Sequence, residues 1–137
     1  MTYSEMLLMN ASAASKPKKK HNKPEEELQT ACLKWFRLQY PKMEKVLVAN
    51  PNGGSRNFLE ACNMKRAGVT AGVADLTLYC KNRFYGTLLI EMKTPKGRQQ
   101  ESQKAWQKEV EKYGQHYVVC RSLEDFMREV KEYLKNT

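Results

Sequence analysis

Two acids and an amine stand out for what they could do together. Asp75 and Glu91 are separated by fifteen residues, and Lys93 lies two positions beyond Glu91. The runs around them, 74–80 and 84–93, are rich in Leu, Thr, Tyr and Ile and read as β-strands joined through the polar Lys81-Asn82-Arg83. An antiparallel hairpin centred near Arg83 sets Asp75 opposite Glu91, Leu76 opposite Ile90 and Leu78 opposite Leu88. Side chains alternate across a strand, so those four apolar residues share one face while Asp75, Glu91 and Lys93 share the other. Two opposed carboxylates repel unless a cation sits between them, and their oxygens suit Mg²⁺ or Mn²⁺. The Lys93 ammonium, on the same face, could orient an attacking water or stabilise charge on a phosphate. Together they fit phosphodiester hydrolysis; the plainer alternative is a surface hairpin carrying an ordinary Glu/Lys pair.

Positioning such a trio takes a sheet with helices against it, and the flanking segments supply the parts. Pro24 and the glutamates after it suit the first turn of a helix over 24–40, where Leu28, Ala31, Cys32, Trp35, Phe36 and Leu38 recur at helical spacing and Pro41 stops the run. Val46-Leu-Val-Ala reads as a short strand closed by Asn50-Pro-Asn-Gly-Gly, and 57–66 as a helix stopped by Gly68. Beyond the hairpin come a helix over 99–113, a strand at His116-Tyr-Val-Val-Cys and a last helix capped by Ser122. The predicted fold is α/β, a mixed sheet of about four strands flanked by helices in the order α-β-α-β-β-α-β-α. Trp35 and Trp106 fall at core-like helical positions and are read as packing residues.

The chain has 137 residues, room for one domain, which is placed at 24–137 behind a disordered basic arm at 1–23. Charge is lopsided: 24 Lys and Arg against 15 Asp and Glu give +9, shared between the arm and the domain. Such an excess points to a polyanionic partner, because each neutralised phosphate releases condensed counterions. No apolar run is long enough to span a bilayer and the first residues do not form a signal peptide, so an intracellular protein with no membrane role is expected. Cysteines 32, 62, 80 and 120 make no zinc pattern with His21 or His116 and read as reduced, mostly buried thiols.

A longer ordered set extends over about 26–121: Glu26 with Gln29, Asn52-Gly53 with Arg56, Lys65-x-x-Gly68, Gly72-Val-Ala-Asp75-Leu, Ile90-Glu91-Met-Lys93-Thr, Gly97, Gln103 and Gly114. In this set the chain resembles the PD-(D/E)XK nuclease superfamily and, within it, the VRR-NUC (virus-type replication-repair nuclease) domain. Val73-Ala74 stands where the founding motif has proline before aspartate, a position this subfamily varies. The resemblance implies a restriction-endonuclease-like fold and a metal-dependent endonuclease. Asp75, Glu91 and the Met92 backbone carbonyl would bind Mg²⁺ or Mn²⁺, with Lys93 assisting the water and no organic cofactor. It also implies a first-helix glutamate near the metal, for which Glu26 is chosen as sharing a helical face with Gln29; Glu25 and Glu27 stay open. Gln103 carries over as an active-site or backbone contact.

The loop of Asn52, Gly53 and Arg56, together with Lys65, Arg66, Lys96 and Arg98, would hold the DNA backbone, reading shape and charge rather than base sequence. Compact relatives imply branched DNA, a four-way junction or flap, cut by a homodimer of bacterial or phage origin. The rival readings are a catalytically silent nucleic-acid-binding module of the same fold and a restriction-type nuclease on linear duplex.

Overall fold

The computed structural model describes residues 23–51 and 58–137. The arm at 1–23, save Lys23, and the loop of Asn52, Gly53 and Arg56 lie outside the described residues. Helix α1 spans Lys23–Gln39. Pro41 does end it, but by opening a 3-10 helix over Pro41–Val46 that turn chemistry did not disclose. There follow β1 (Leu47–Ala49), α2 (Phe58–Arg66), β2 (Leu76–Leu78), β3 (Leu88–Met92), α3 (Glu101–Lys112), β4 (His116–Cys120) and α4 (Leu123–Lys135). With the 3-10 turn inserted, the order is the one expected.

The four strands form one sheet in the order β1-β2-β3-β4. β1 pairs antiparallel with β2 and β2 with β3, whereas β3 and β4 are parallel. A parallel neighbour needs a crossover, and α3 supplies it. The β2/β3 register pairs Leu76 with Ile90 and Leu78 with Leu88, as the hydrophobic alternation required. Those four side chains are fully buried and join Cys32 and Phe36 of α1 and Phe126 and Val130 of α4 in the main core. On the other face α3 lays Trp106 and Val110 against Leu89, Tyr117 and Ala74. Both tryptophans pack edge-on against aromatic neighbours, Trp35 on Phe126 and Trp106 on Tyr117.

Three expectations need correction. The second strand starts at Leu88 rather than 84, because the Asn82 side-chain oxygen accepts the N–H groups of both Phe84 and Tyr85 and folds that segment into a turn. The first of the hairpin strands is likewise trimmed to three residues. Ala31 and Leu38 do not face the core: both are exposed, Leu38 to 76%, since they project to one side of the stripe set by Leu28, Cys32, Trp35 and Phe36. All four cysteines are free; Cys32 and Cys120 are buried, Cys62 and Cys80 half-buried. Burial raises the Cys32 and Cys120 thiols to about 12, which keeps them neutral and unreactive.

Candidate active site

β2 and β3 separate just beyond Leu76 and Ile90, and the acids sit where they part. Asp75 is tied to both neighbours: its backbone carbonyl accepts the Asn50 N–H at 2.8 Å on the β1 side, and its Oδ2 accepts the Met92 N–H at 2.7 Å on the β3 side. The carboxylate thus occupies the place a strand carbonyl would take, satisfying a backbone donor buried in the sheet. Asn50 braces the same corner, donating from Nδ2 to the Ala74 carbonyl at 2.9 Å and the Thr77 hydroxyl at 3.2 Å. In the sequence Asn50 read only as part of a turn.

Glu91 is only 1% exposed, a rare burial for a carboxyl. Its Oε2 receives the Gln103 side-chain amide at 3.0 Å and lies 3.6 Å from the Lys93 ammonium, itself 6% exposed. Its Oε1 is buried with no hydrogen-bond partner. Burial pushes the Glu91 carboxyl up to about 9, helped by the charge of Asp75 beside it. The attraction of Lys93 works the other way and loses.

The two carboxyl groups are donors of the kind a divalent cation takes. The donors are hard carboxylate oxygens, one has no partner, and the mutual repulsion that raises Glu91 is what a cation would relieve. Among the described residues no cluster of three or more His, Cys, Asp or Glu side chains is placed to bind a metal. The side-chain share of the shell would therefore be two carboxylates, the common situation for Mg²⁺, which keeps water and substrate phosphate among its other ligands.

Helix α3 fixes the fourth wall. Gln103 closes a capping box, its side-chain oxygen taking the Gln100 N–H at 2.8 Å, so its amide is aimed at Glu91. The chain before Asp75 presses on the same turn: Gly72 has φ +84°, and a Cβ on it would stand 2.1 Å from the Ser102 carbonyl oxygen. Only glycine permits both the left-handed backbone and that approach.

The VRR-NUC domain model matches residues 10–124 of the chain, more than half its length. This chain belongs to the VRR-NUC domain family. A solved structure described as a VRR_NUC domain protein is 27% identical, covers 82% of this chain and 88% of its own, and superposes with a TM-score of 0.72. No curated protein matches the chain. The nuclease-type fold and a DNA substrate follow from membership of the VRR-NUC family.

Within this VRR-NUC domain Asp75, Glu91, Lys93 and Gln103 are brought together, and Met92 is joined to them through its N–H. On α1, Glu26 and Glu27 are exposed; the half-buried Glu25 is the glutamate whose charge reaches Glu91, raising it further. Lys65 and Arg66 end α2 on an exposed turn, and Lys96 and Arg98 are exposed on the turn that follows Lys93. Arg121 went unnoticed in the sequence. Its Nη1 donates to the carbonyls of Thr94 and Gly97 at 2.9 and 2.6 Å, with that of Pro95 at 3.4 Å. A ligand set made of backbone oxygens leaves no side-chain pattern to read. Among the described residues no helix is long and apolar enough to cross a membrane.

Proposed function

We propose that this VRR-NUC domain is a metal-dependent DNA endonuclease that hydrolyses phosphodiester bonds in branched DNA, a four-way junction or a flap. One observation carries the reading: Glu91, buried beside Asp75 and Lys93, leaves an oxygen with no partner at the point where both acids converge. Asp75 and Glu91, with the Met92 carbonyl, would hold Mg²⁺ or Mn²⁺. When bound, that ion would polarise the scissile phosphate and lower the pKa of a water. Lys93 would hold the nucleophilic water or the developing phosphate charge, its ammonium kept in reach by Glu91. Gln103 would keep the Glu91 carboxylate in one rotamer through its own capped orientation. Glu25, the first-helix acid felt by Glu91, would add negative charge to the site from α1 without joining the ligand shell.

The +9 charge supports a backbone-directed grip, with Lys65, Arg66, Lys96 and Arg98 and the Asn52, Gly53 and Arg56 loop as its contacts. Two copies about a two-fold axis would present paired sites to the two strands of a symmetric junction. The test is cleavage of labelled four-way junction, flap and linear duplex with Mg²⁺, Mn²⁺ or EDTA, alongside Asp75→Asn and Lys93→Ala. Metal-dependent cutting of the branched substrates that both variants lose is the expected result. Cleavage that survives chelation, or binding without cleavage under every metal, refutes it.

A further inference from the structure

We infer that Arg121 is a positioning residue for this site, a cationic clasp that sets the turn leaving Lys93. The inference rests on the nuclease reading for its activity readout but on the hydrogen bonds alone for its structural one. Two consecutive residues at the end of β4 close the exit of β3. Cys120 accepts the Lys93 N–H at 3.0 Å through its carbonyl, and Arg121 next to it reaches the three carbonyls of Thr94, Pro95 and Gly97. The Gly97 N–H also donates to the Thr94 carbonyl at 3.0 Å, so the Thr94–Gly97 segment is a tight turn whose carbonyl dipoles converge on one spot. Converging carbonyls repel one another, and a guanidinium nitrogen among them offsets that repulsion.

Arg121 is itself held from outside the site. Its backbone N–H donates to Asp125 Oδ2 at 2.9 Å, and Asp125 stands in the first turn of α4, whose Ser122 cap takes the Asp125 N–H at 3.1 Å. The Asp125 carboxyl is held below the usual carboxylate range, above all by this Arg121 N–H, so it stays ionised. A rigid path therefore runs from the α4 N-terminus through Arg121 to the turn, which begins one residue after Lys93 and carries Lys96. Arg98 and the α3 cap follow directly. The ammonium of Lys93 gains from this fixity because a catalytic group misplaced by about 1 Å can cost on the order of 100-fold in rate.

The experiment uses Arg121→Lys in the full chain, which keeps the charge but ends one atom short of the Nη1 position that meets all three carbonyls, with Arg121→Gln as a second variant. Electrostatic binding depends on the number of charges, so DNA affinity of Arg121→Lys at fixed salt should stay within about 3-fold of the parent. Its kcat on the preferred branched substrate should fall about 10- to 100-fold, with KM nearly unchanged. Hydrogen exchange at the amides of Lys93 and Gly97, bonded to the Cys120 and Thr94 carbonyls, should speed up in both variants while amides of the main core keep their protection. If the parent chain cuts no DNA, the nuclease reading fails and the exchange data alone decide the clasp. Arg121→Lys with parental kcat and parental exchange in the turn overturns it, as does a loss of rate matched by a loss of folded protein.

Discussion

Replacing Glu91 with glutamine should stabilise the metal-free protein, and by an amount that grows with pH. In the native state the Glu91 carboxyl holds its proton up to about 9, against 4.5 for an ordinary glutamate. A carboxyl whose folded-state pKa is raised stabilises the fold fully below its unfolded pKa and loses that contribution as pH climbs toward its folded pKa. Each pH unit in that window costs the parent ~1.4 kcal/mol relative to a residue that cannot ionise, so by about pH 7 the sum approaches ~3 kcal/mol. The Glu91→Gln side chain has no proton to keep and retains an oxygen for Lys93 and the Gln103 amide. Any fixed penalty from imperfect geometry shifts both ends of the pH range equally, which leaves the slope as the signature. Thermal unfolding followed by circular dichroism in EDTA should show the variant gaining on the parent from about pH 5 to about pH 8. A shift of about 4 °C per kcal/mol is expected for a domain of this size. Added Mg²⁺ should then raise the melting point of the parent and leave the variant where it was. A difference that is flat with pH, or that shrinks as pH rises, would refute the account of Glu91.

Activity should carry the same proton. Cleavage at fixed Mg²⁺ should increase with pH through the neutral range as Glu91 is freed, and more Mg²⁺ should move the midpoint of the pH–rate curve downward, whereas a midpoint indifferent to metal would contradict competition between ion and proton. Lys93→Ala should lower kcat by ~100-fold or more with DNA binding largely kept, measured by single-turnover cleavage beside a filter-binding titration. Gly72→Ala should cost at least ~3 kcal/mol in urea unfolding, since a methyl there meets the Ser102 backbone and the backbone is left-handed; a loss below ~1 kcal/mol would mean that the contact yields easily. Phe126→Ala, which empties a fully buried position under Trp35, should cost ~3–5 kcal/mol by the same measure without changing the metal dependence of cleavage.

What could be read ahead of the structure was whatever a period of two or a cap dictates. The Leu76, Leu78, Leu88 and Ile90 alternation allowed one register, and that register put Glu91 and Lys93 on the face opposite the main core. Ser122 capped α4 as its type suggested. Helical rotation was harder: Glu25, Glu26 and Glu27 point about 100° apart, and only the docking of α1 on the sheet decides which approaches Glu91. Strand ends were set by side-chain to backbone bonds, such as those of Asn82, that local hydrophobicity does not show. Arg121 was hidden for a related reason, because its partners are carbonyls that every residue possesses.

The double tie of Asp75 couples acidity to architecture at that position. A side chain without an acceptor oxygen there would abandon the Met92 N–H inside the sheet, a defect worth ~1–3 kcal/mol before any chemistry is counted. Alanine would therefore weaken the scaffold and disarm the centre in one stroke, while asparagine, which keeps the oxygen and drops the charge, separates the two. The strand corner is thus a place where a chain drifting toward inactivity would also drift toward unfolding.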